Sequence, residues 1–175
     1  MTTERPADTS TESTDAGTHA GTGTGTEIAP SSPSPSDALW VERTGVRTYT
    51  GYSERGAQVQ IGPASEGAVF TPGELLKIAL AGCAGMSSDR GFARRLGDDY
   101  RVVIHVEGAK DMAEDRYPEI TERFEIDLSE LDDDARERLL TVAERAIEKT
   151  CTVGRTIKAG ASVQTLFDQP GGSIE

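Results

Sequence analysis

The sequence predicts an α+β fold in which antiparallel strands surround a buried central helix. Three observations indicate this class. Residues 72–86 are apolar on every side of a helical projection, which is typical of a helix covered on all sides. Residues 101–108 and 120–128 alternate apolar and polar side chains, as strands with one buried face do. Residues 139–151 place apolar side chains on one helical face.

The first 37 residues are predicted to be a disordered, low-complexity tail. They contain Thr-Gly repeats at 21–26 and Ser-Pro repeats at 31–36. Such a composition cannot bury enough apolar surface to offset the entropy lost on ordering. The folded domain is expected to span residues 38–168, and residues 169–175 are expected to form a frayed C-terminus.

Three short strands and the central helix follow in order. Residues 39–43 and 47–53 flank a turn, and residues 57–61 alternate as a third strand. Thr71, Pro72 and Glu74 then form the signature of a capping box with proline at the first helical position. The helix they open carries Cys83 and is expected to end at Gly97.

The second half of the chain is predicted to form two strands, a helix and a last strand. In residues 120–128 the side chains of Phe124, Ile126 and Leu128 are expected to face inward, and His105 of the preceding strand is interpreted as a surface or interface residue. Ser129 or Asp132 caps the helix. Steps of four residues from Ala143 through Ile147 place Cys151 at the end of its core-facing stripe. Gly154 is expected to break that helix, and residues 161–167 to form the final strand.

Composition excludes several classes of protein. The formal net charge of −12 over 175 residues would repel a phosphate backbone, so nucleic-acid binding is not expected. No apolar run approaches the roughly 18 residues of a membrane span, and the N-terminus lacks a signal core, so a cytoplasmic protein is expected. Cytoplasmic thiols are normally reduced, which favours catalytic over structural cysteines.

The two cysteines are the candidate chemical groups. Cys83 and Cys151 are too far apart in sequence for a zinc knuckle, so they could meet only through the fold, as a structural disulfide or as a redox pair. Cys83 is equally compatible with a small core hydrophobe. A reactive Cys83 requires a thiolate, and an apolar site opposes one. A cation from another segment is therefore expected, with Arg43, Arg47 and Arg55 as candidates.

Both cysteine segments resemble one family. Residues 71–83, which read Thr-Pro-Gly-Glu-Leu-Leu and end in Ala-Gly-Cys, resemble the [Ser/Thr/Asn]-Pro-x-Glu-Leu…Cys helix of the OsmC/Ohr family of organic hydroperoxide reductases. Residues 151–160, which begin Cys-Thr-Val-Gly, resemble that family's second-cysteine segment. The order of predicted strands and helices over about residues 39–168 fits as well.

The resemblance implies a mechanism and an assembly. Cys83 would be the peroxidatic thiolate and Cys151 the resolving thiol, with no cofactor or metal. An external dithiol, of lipoyl type in relatives, would reset the enzyme. An arginine of the first hairpin, with Arg43 as the first choice and Arg47 as the second, would stabilise the thiolate. A glutamate at the helix start would orient this arginine. Relatives form intertwined homodimers.

Two departures from the family pattern concern the helix start and the second cysteine. Gly73 stands where the hydroperoxide reductases have their glutamate, and Glu74 lies nine residues before Cys83, about opposite to it on a regular helix. Capping is therefore the favoured role of Glu74. Thr152 replaces the usual proline after Cys151. The alternative hypotheses are a dimeric stress-associated protein that binds a small hydrophobic ligand without turnover, and thiol transfer from another oxidised partner.

Overall fold

The computed structural model describes residues 38–167 and confirms an α+β chain with antiparallel sheets. The predicted tail at 1–37 and the predicted frayed C-terminus at 169–175 lie outside the described residues. The strands are β1 (Leu39–Gly45), β2 (Thr48–Ser53), β3 (Gln58–Ile61), β4 (Val102–Glu107) and β5 (Thr121–Ile126). The helices are α1 (Pro72–Leu96), α2 (Asp133–Thr150) and α3 (Thr152–Ala159), and a short 3-10 turn spans Ala64–Glu66.

The strands form two separate antiparallel sheets. One contains β1, β2 and β3 in that order, and the other pairs β4 with β5. In the second sheet Ile104 lies opposite Phe124, and both belong to the half-buried face. Alternating burial along both strands confirms the predicted inward faces.

Helix α1 begins as the sequence predicts. The Thr71 hydroxyl accepts a hydrogen bond from the Glu74 N–H (3.2 Å), and the Glu74 carboxylate accepts one from the Thr71 N–H (2.7 Å). This reciprocal pair satisfies donors that a helix start leaves free, and Pro72 has no N–H to satisfy. Gly97 lies just past the helix end at a φ of 99°, a value that favours glycine.

Helix α1 packs against α2, α3 and β4, and its covered side forms the core. One cluster joins Leu80, Ala84 and Cys151, and a second joins Phe92, Leu139 and Ala143. The opposite side is not covered by residues 38–167: Ile78 and Met86 are 45% and 84% exposed. The expectation of a helix buried on all sides therefore does not hold within one copy of the chain.

Two predictions for the C-terminal region are wrong. Gly154 does not break α2, because α2 ends at Thr150 and Gly154 lies inside the additional helix α3. Residues 161–167 form no strand in the described chain. Apolar and polar side chains do alternate in these residues, but a strand also needs a neighbouring strand for its backbone hydrogen bonds. Val163 and Phe167 are instead almost fully exposed.

Among residues 38–167, no helix is both long and apolar enough to cross a membrane.

Candidate active site

Cys83 occupies the middle of α1, on the side that meets α3. It is half-buried and packs against the cluster of Leu80, Ala84 and Cys151. Ile120 and Phe124 pack on the same cluster from the β5 region. The fold therefore brings the two cysteines together from segments far apart in sequence, and both are free thiols.

Cys151 joins two helices and is almost completely buried, with 2% exposure. Its backbone N–H bonds the Ile147 carbonyl (2.9 Å) and closes α2. Its Sγ accepts a hydrogen bond from the Gly154 N–H (3.3 Å), as an N-cap side chain does at the start of α3. Glycine leaves room for the sulfur here, because a Cβ at position 154 would lie 3.1 Å from Sγ and press against it.

The surroundings of the two thiols shift their pKa values in opposite directions. Backbone hydrogen bonding from Val153 lowers the pKa of Cys83, assisted by the Cys151 side chain and the Thr152 backbone. Partial burial opposes that shift, but the net pKa of Cys83 is still below its ordinary value. Burial raises the pKa of Cys151, and its proximity to Cys83 raises it further. Cys83 is therefore the more acidic thiol of the pair and Cys151 the less acidic one.

Backbone donors at the N-terminus of α3 lie near Cys83 and were not expected from the sequence. The first N–H groups of a helix have no intrahelical acceptor, and the helix dipole makes this end positive. Val153 and Thr152 direct such groups at Cys83. A thiol at a helix N-terminus is expected to be acidic, and here the thiol comes from a different helix. Sequence reasoning missed these donors because it did not predict α3.

Neither Arg43 nor Arg47 is brought to Cys83 by the described part of a single chain. Arg43 is exposed on β1, where it pairs in register with Tyr49. Arg47 lies in the β1–β2 turn at a φ of 60° and lines a pocket with Thr71 and Pro72. That pocket is at the start of α1, about 16 Å along the helix axis from Cys83 at 1.5 Å per residue.

Glu74 is engaged in capping. Its carboxylate accepts hydrogen bonds from both the backbone and the hydroxyl of Thr71, and the backbone bond is the main reason that its pKa is lowered. At the neighbouring Gly73, an added Cβ would overlap the Tyr117 hydroxyl. The tyrosine thus occupies the space that a longer side chain at position 73 would need.

Glu122 is a site residue that the sequence analysis missed. It lies on the inward face of β5, between Ile120 and Phe124, and its Oε1 is buried. Its charge acts on both thiols and raises the pKa of each. A signal was present in the sequence: the alternation that turns Phe124 inward also turns Glu122 inward.

His105 is an exposed surface residue on the outer face of β4. Its Nε2 lies 3.0 Å from the Glu125 carboxylate, and its side chain is 59% exposed. This agrees with its interpretation as a residue outside the catalytic site. Within residues 38–167, His, Cys, Asp and Glu side chains form no group of three or more that could hold a metal ion.

Comparison with known proteins agrees with this architecture. A sequence profile described as OsmC-like protein matches residues 65–166. Over 125 residues, uncharacterised proteins of Mycobacterium tuberculosis and Mycobacterium bovis are each 61% identical to this chain, covering 71% of it and 91% of the relative.

Solved structures share the fold at low sequence identity. An OsmC-like protein from Mycoplasma pneumoniae superposes with a TM-score of 0.56 at 16% identity, covering 70% of this chain and 86% of the other. An OsmC-like protein of unknown function from Vibrio cholerae gives 0.53 at 13% identity, covering 68% and 91%. At these identities the likeness concerns the fold alone.

Proposed function

This chain belongs to the OsmC-like protein family, and on that premise we propose that it reduces organic hydroperoxides with the thiol pair Cys83 and Cys151. The observation that carries the proposal is the contrast between the two thiols. They belong to one packed cluster, yet the pKa of Cys83 is lowered and that of Cys151 is raised. A peroxidatic cysteine must be a thiolate to attack, and a resolving cysteine can remain protonated until it is used.

The first step is oxidation of Cys83. Its thiolate attacks the terminal oxygen of the hydroperoxide, so that an S–O bond forms and the O–O bond breaks. Cys83 becomes a sulfenic acid, and the organic group leaves as an alkoxide that takes up a proton to become an alcohol. Hydrogen bonding from the start of α3 favours the reactive form of Cys83 before the attack.

The second step joins the two cysteines. The sulfur of Cys151 attacks the sulfur of oxidised Cys83, the S–O bond breaks, and the hydroxide leaves as water with the proton of Cys151. The placement of both thiols in one cluster supports this step, because it brings the two sulfurs close without a large movement of α1. An external dithiol then reduces the disulfide by thiol–disulfide exchange and restores both cysteines.

The active unit is proposed to be a homodimer. The uncovered side of α1, with Ile78 and Met86, is an apolar surface that a second copy would bury. A second copy is also the proposed source of the arginine, Arg43 or Arg47, because one copy does not bring either residue to its own Cys83. Light scattering of the full chain tests this assembly, and a monomer at micromolar concentration would contradict it.

The test of the function is consumption of cumene hydroperoxide by the purified chain with dihydrolipoamide as reductant. The wild type should turn over, and Cys83→Ser should not, because a hydroxyl is not ionised at neutral pH. Binding of an apolar ligand without consumption of peroxide would favour the hydrophobic-ligand alternative. Mixed disulfides with another oxidised thiol, again without peroxide turnover, would indicate thiol transfer instead.

A further inference from the structure

Glu122 is an acidic side chain on an otherwise apolar surface that faces the thiol pair. On the inward side of β5 its neighbours are Ile120 and Phe124, which pack on the cluster of Leu80, Ala84 and Cys151. An apolar residue would fit this face without the cost of removing a carboxylate from water. A stabilising role therefore does not account for a glutamate at this position.

The carboxyl group of Glu122 is not satisfied by the described chain. Its Oε1 is buried and has no hydrogen-bond partner within residues 38–167. Lys158 acts on Glu122 through its charge, but no ion pair within 4.0 Å joins them in that range. Burial raises the pKa of Glu122, and Lys158 only partly offsets this. A buried acceptor without a partner is costly and commonly marks a functional group.

Glu122 and Cys151 line the same cleft. The cleft has a volume of about 610 Å³ and apolar walls that include Leu80, Ile147 and Ile157. Other titratable or charged side chains around it come from the β4–β5 connection, α2 and α3, namely Arg116, Tyr117, Glu119, Glu148, Arg155 and Lys158. Of the acidic side chains that line the cleft, Glu122 is the one whose charge acts on both Cys83 and Cys151. The cleft therefore reaches the pair from the side of Cys151.

We propose that Glu122 is the proton-transfer residue of the thiol pair, delivering a proton to the alkoxide that leaves when Cys83 is oxidised. This inference rests on the proposed function and adds the source of the proton. The geometry supports it because the carboxyl has a free oxygen, belongs to the strand face that packs on the cysteine cluster, and lines a cleft together with Cys151.

The proton balance closes over one catalytic cycle. In the first step protonated Glu122 gives its proton to the alkoxide, which becomes the alcohol, and Glu122 becomes a carboxylate. In the second step that carboxylate accepts the proton of Cys151 and passes it to the hydroxide that leaves Cys83, giving water. The dithiol then supplies two electrons and two protons, which return Cys151 to the thiol and Glu122 to the acid, while Cys83 remains a thiolate.

The experiment compares leaving groups. Single-turnover oxidation of Cys83 is followed with tert-butyl hydroperoxide, whose alkoxide leaves poorly, and with peracetic acid, whose carboxylate leaves without protonation. Glu122→Gln should slow the first reaction by about 10²-fold, the low end of general acid catalysis, and leave the second within a few fold of wild type. Glu122→Asp, which keeps the carboxyl, should restore part of the lost rate.

Two controls separate proton transfer from damage to the site. Glu125→Gln removes an exposed carboxylate from the outer face of the same strand and should leave both rates unchanged. Alkylation of Cys83 by iodoacetamide needs no proton for its leaving group. The Glu122 carboxylate raises the pKa of Cys83 only when it is ionised, and glutamine is always neutral, so Glu122→Gln should leave alkylation at neutral pH equal to that of wild type or faster. Thermal unfolding should show Glu122→Gln to be at least as stable as wild type.

Three outcomes would overturn the inference. Equal loss with both oxidants, or a parallel loss of alkylation, would mean that Glu122 only maintains the shape of the site. No loss with tert-butyl hydroperoxide would mean that the proton comes from elsewhere, although the proposed function would stand. If the wild type reacts with neither oxidant, the proposed function and this inference both fail.

Discussion

Replacing Val153 by proline tests whether the start of α3 activates Cys83. Val153 is the second residue of α3, and its N–H is the largest contributor to the lowered pKa of Cys83. Proline removes that N–H but is tolerated in the first turn of a helix, where the N–H has no intrahelical acceptor. The substitution therefore removes one donor and leaves the thiol itself in place.

The expected magnitude follows from the energy of one hydrogen bond to a charged group. Such a bond contributes about 1.5–3 kcal/mol, and 1.36 kcal/mol corresponds to one pKa unit, so the pKa of Cys83 should rise by about 1–2. At a pH below the pKa of Cys83, each increase of one in that pKa lowers the fraction of Cys83 present as thiolate about tenfold. Alkylation of Cys83 by iodoacetamide at neutral pH should slow by about 10- to 100-fold.

Peptide-resolved mass spectrometry measures alkylation of each cysteine as a function of pH. Val153→Ala keeps the N–H and is the matched control, and its Cys83 profile should coincide with that of wild type. Thr152→Pro removes the weaker donor at the first helical position, where proline is favoured, and should give a smaller rise. If Val153→Pro folds and its profile is unchanged, the backbone donors do not activate Cys83.

Three further predictions concern Cys151, Gly154 and Asp132. Cys151→Ser should stop the reaction at the Cys83 sulfenic acid, which dimedone would trap; a full catalytic cycle in this variant would remove Cys151 from the mechanism. Gly154→Ala should slow formation of the disulfide in stopped-flow traces, because the new Cβ would lie 3.1 Å from the Cys151 sulfur and displace it. Asp132→Ala should lower the free energy of unfolding, measured in urea, by about 1 kcal/mol. The reason is that the Asp132 carboxylate caps α2 by accepting a 2.7 Å hydrogen bond from the Ala135 N–H. A change below about 0.3 kcal/mol would show that the cap contributes little.

Local signals in the sequence were sufficient for most of the elements. The capping box at Thr71 and Glu74 depends on neighbouring residues alone, so its prediction is confirmed in detail. The alternation in β4 and β5 likewise fixed which faces turn inward. These features need no knowledge of distant contacts.

Helix α3 was not predictable from local propensity. It contains Thr152, Val153 and Gly154 in its first turn, residues that are weak helix formers. It forms where the Cys151 sulfur accepts the Gly154 N–H and α3 packs on α1, and the second of these depends on the whole fold. The backbone donors that make Cys83 more acidic could therefore not be predicted from the sequence.

The proximity of the cysteines was inferred from the family resemblance, and their chemical contrast required the structure. Spacing alone left Cys83 and Cys151 open to a structural disulfide, a redox pair or two unrelated core residues. Their shared cluster brings them together, and their different burial and hydrogen bonding distinguish them. Glu122 had a visible signal, because a glutamate at an inward strand position conflicts with the apolar pattern around it.

The most direct measurement of the central claim is the intact mass of the chain after one equivalent of cumene hydroperoxide without reductant, followed by non-reducing peptide mapping. The account predicts loss of two hydrogens from the wild type and a peptide cross-link between Cys83 and Cys151. Cys151→Ser should instead gain one oxygen at Cys83. An unchanged mass, or oxidation confined to methionine with Cys83 intact, would contradict the account.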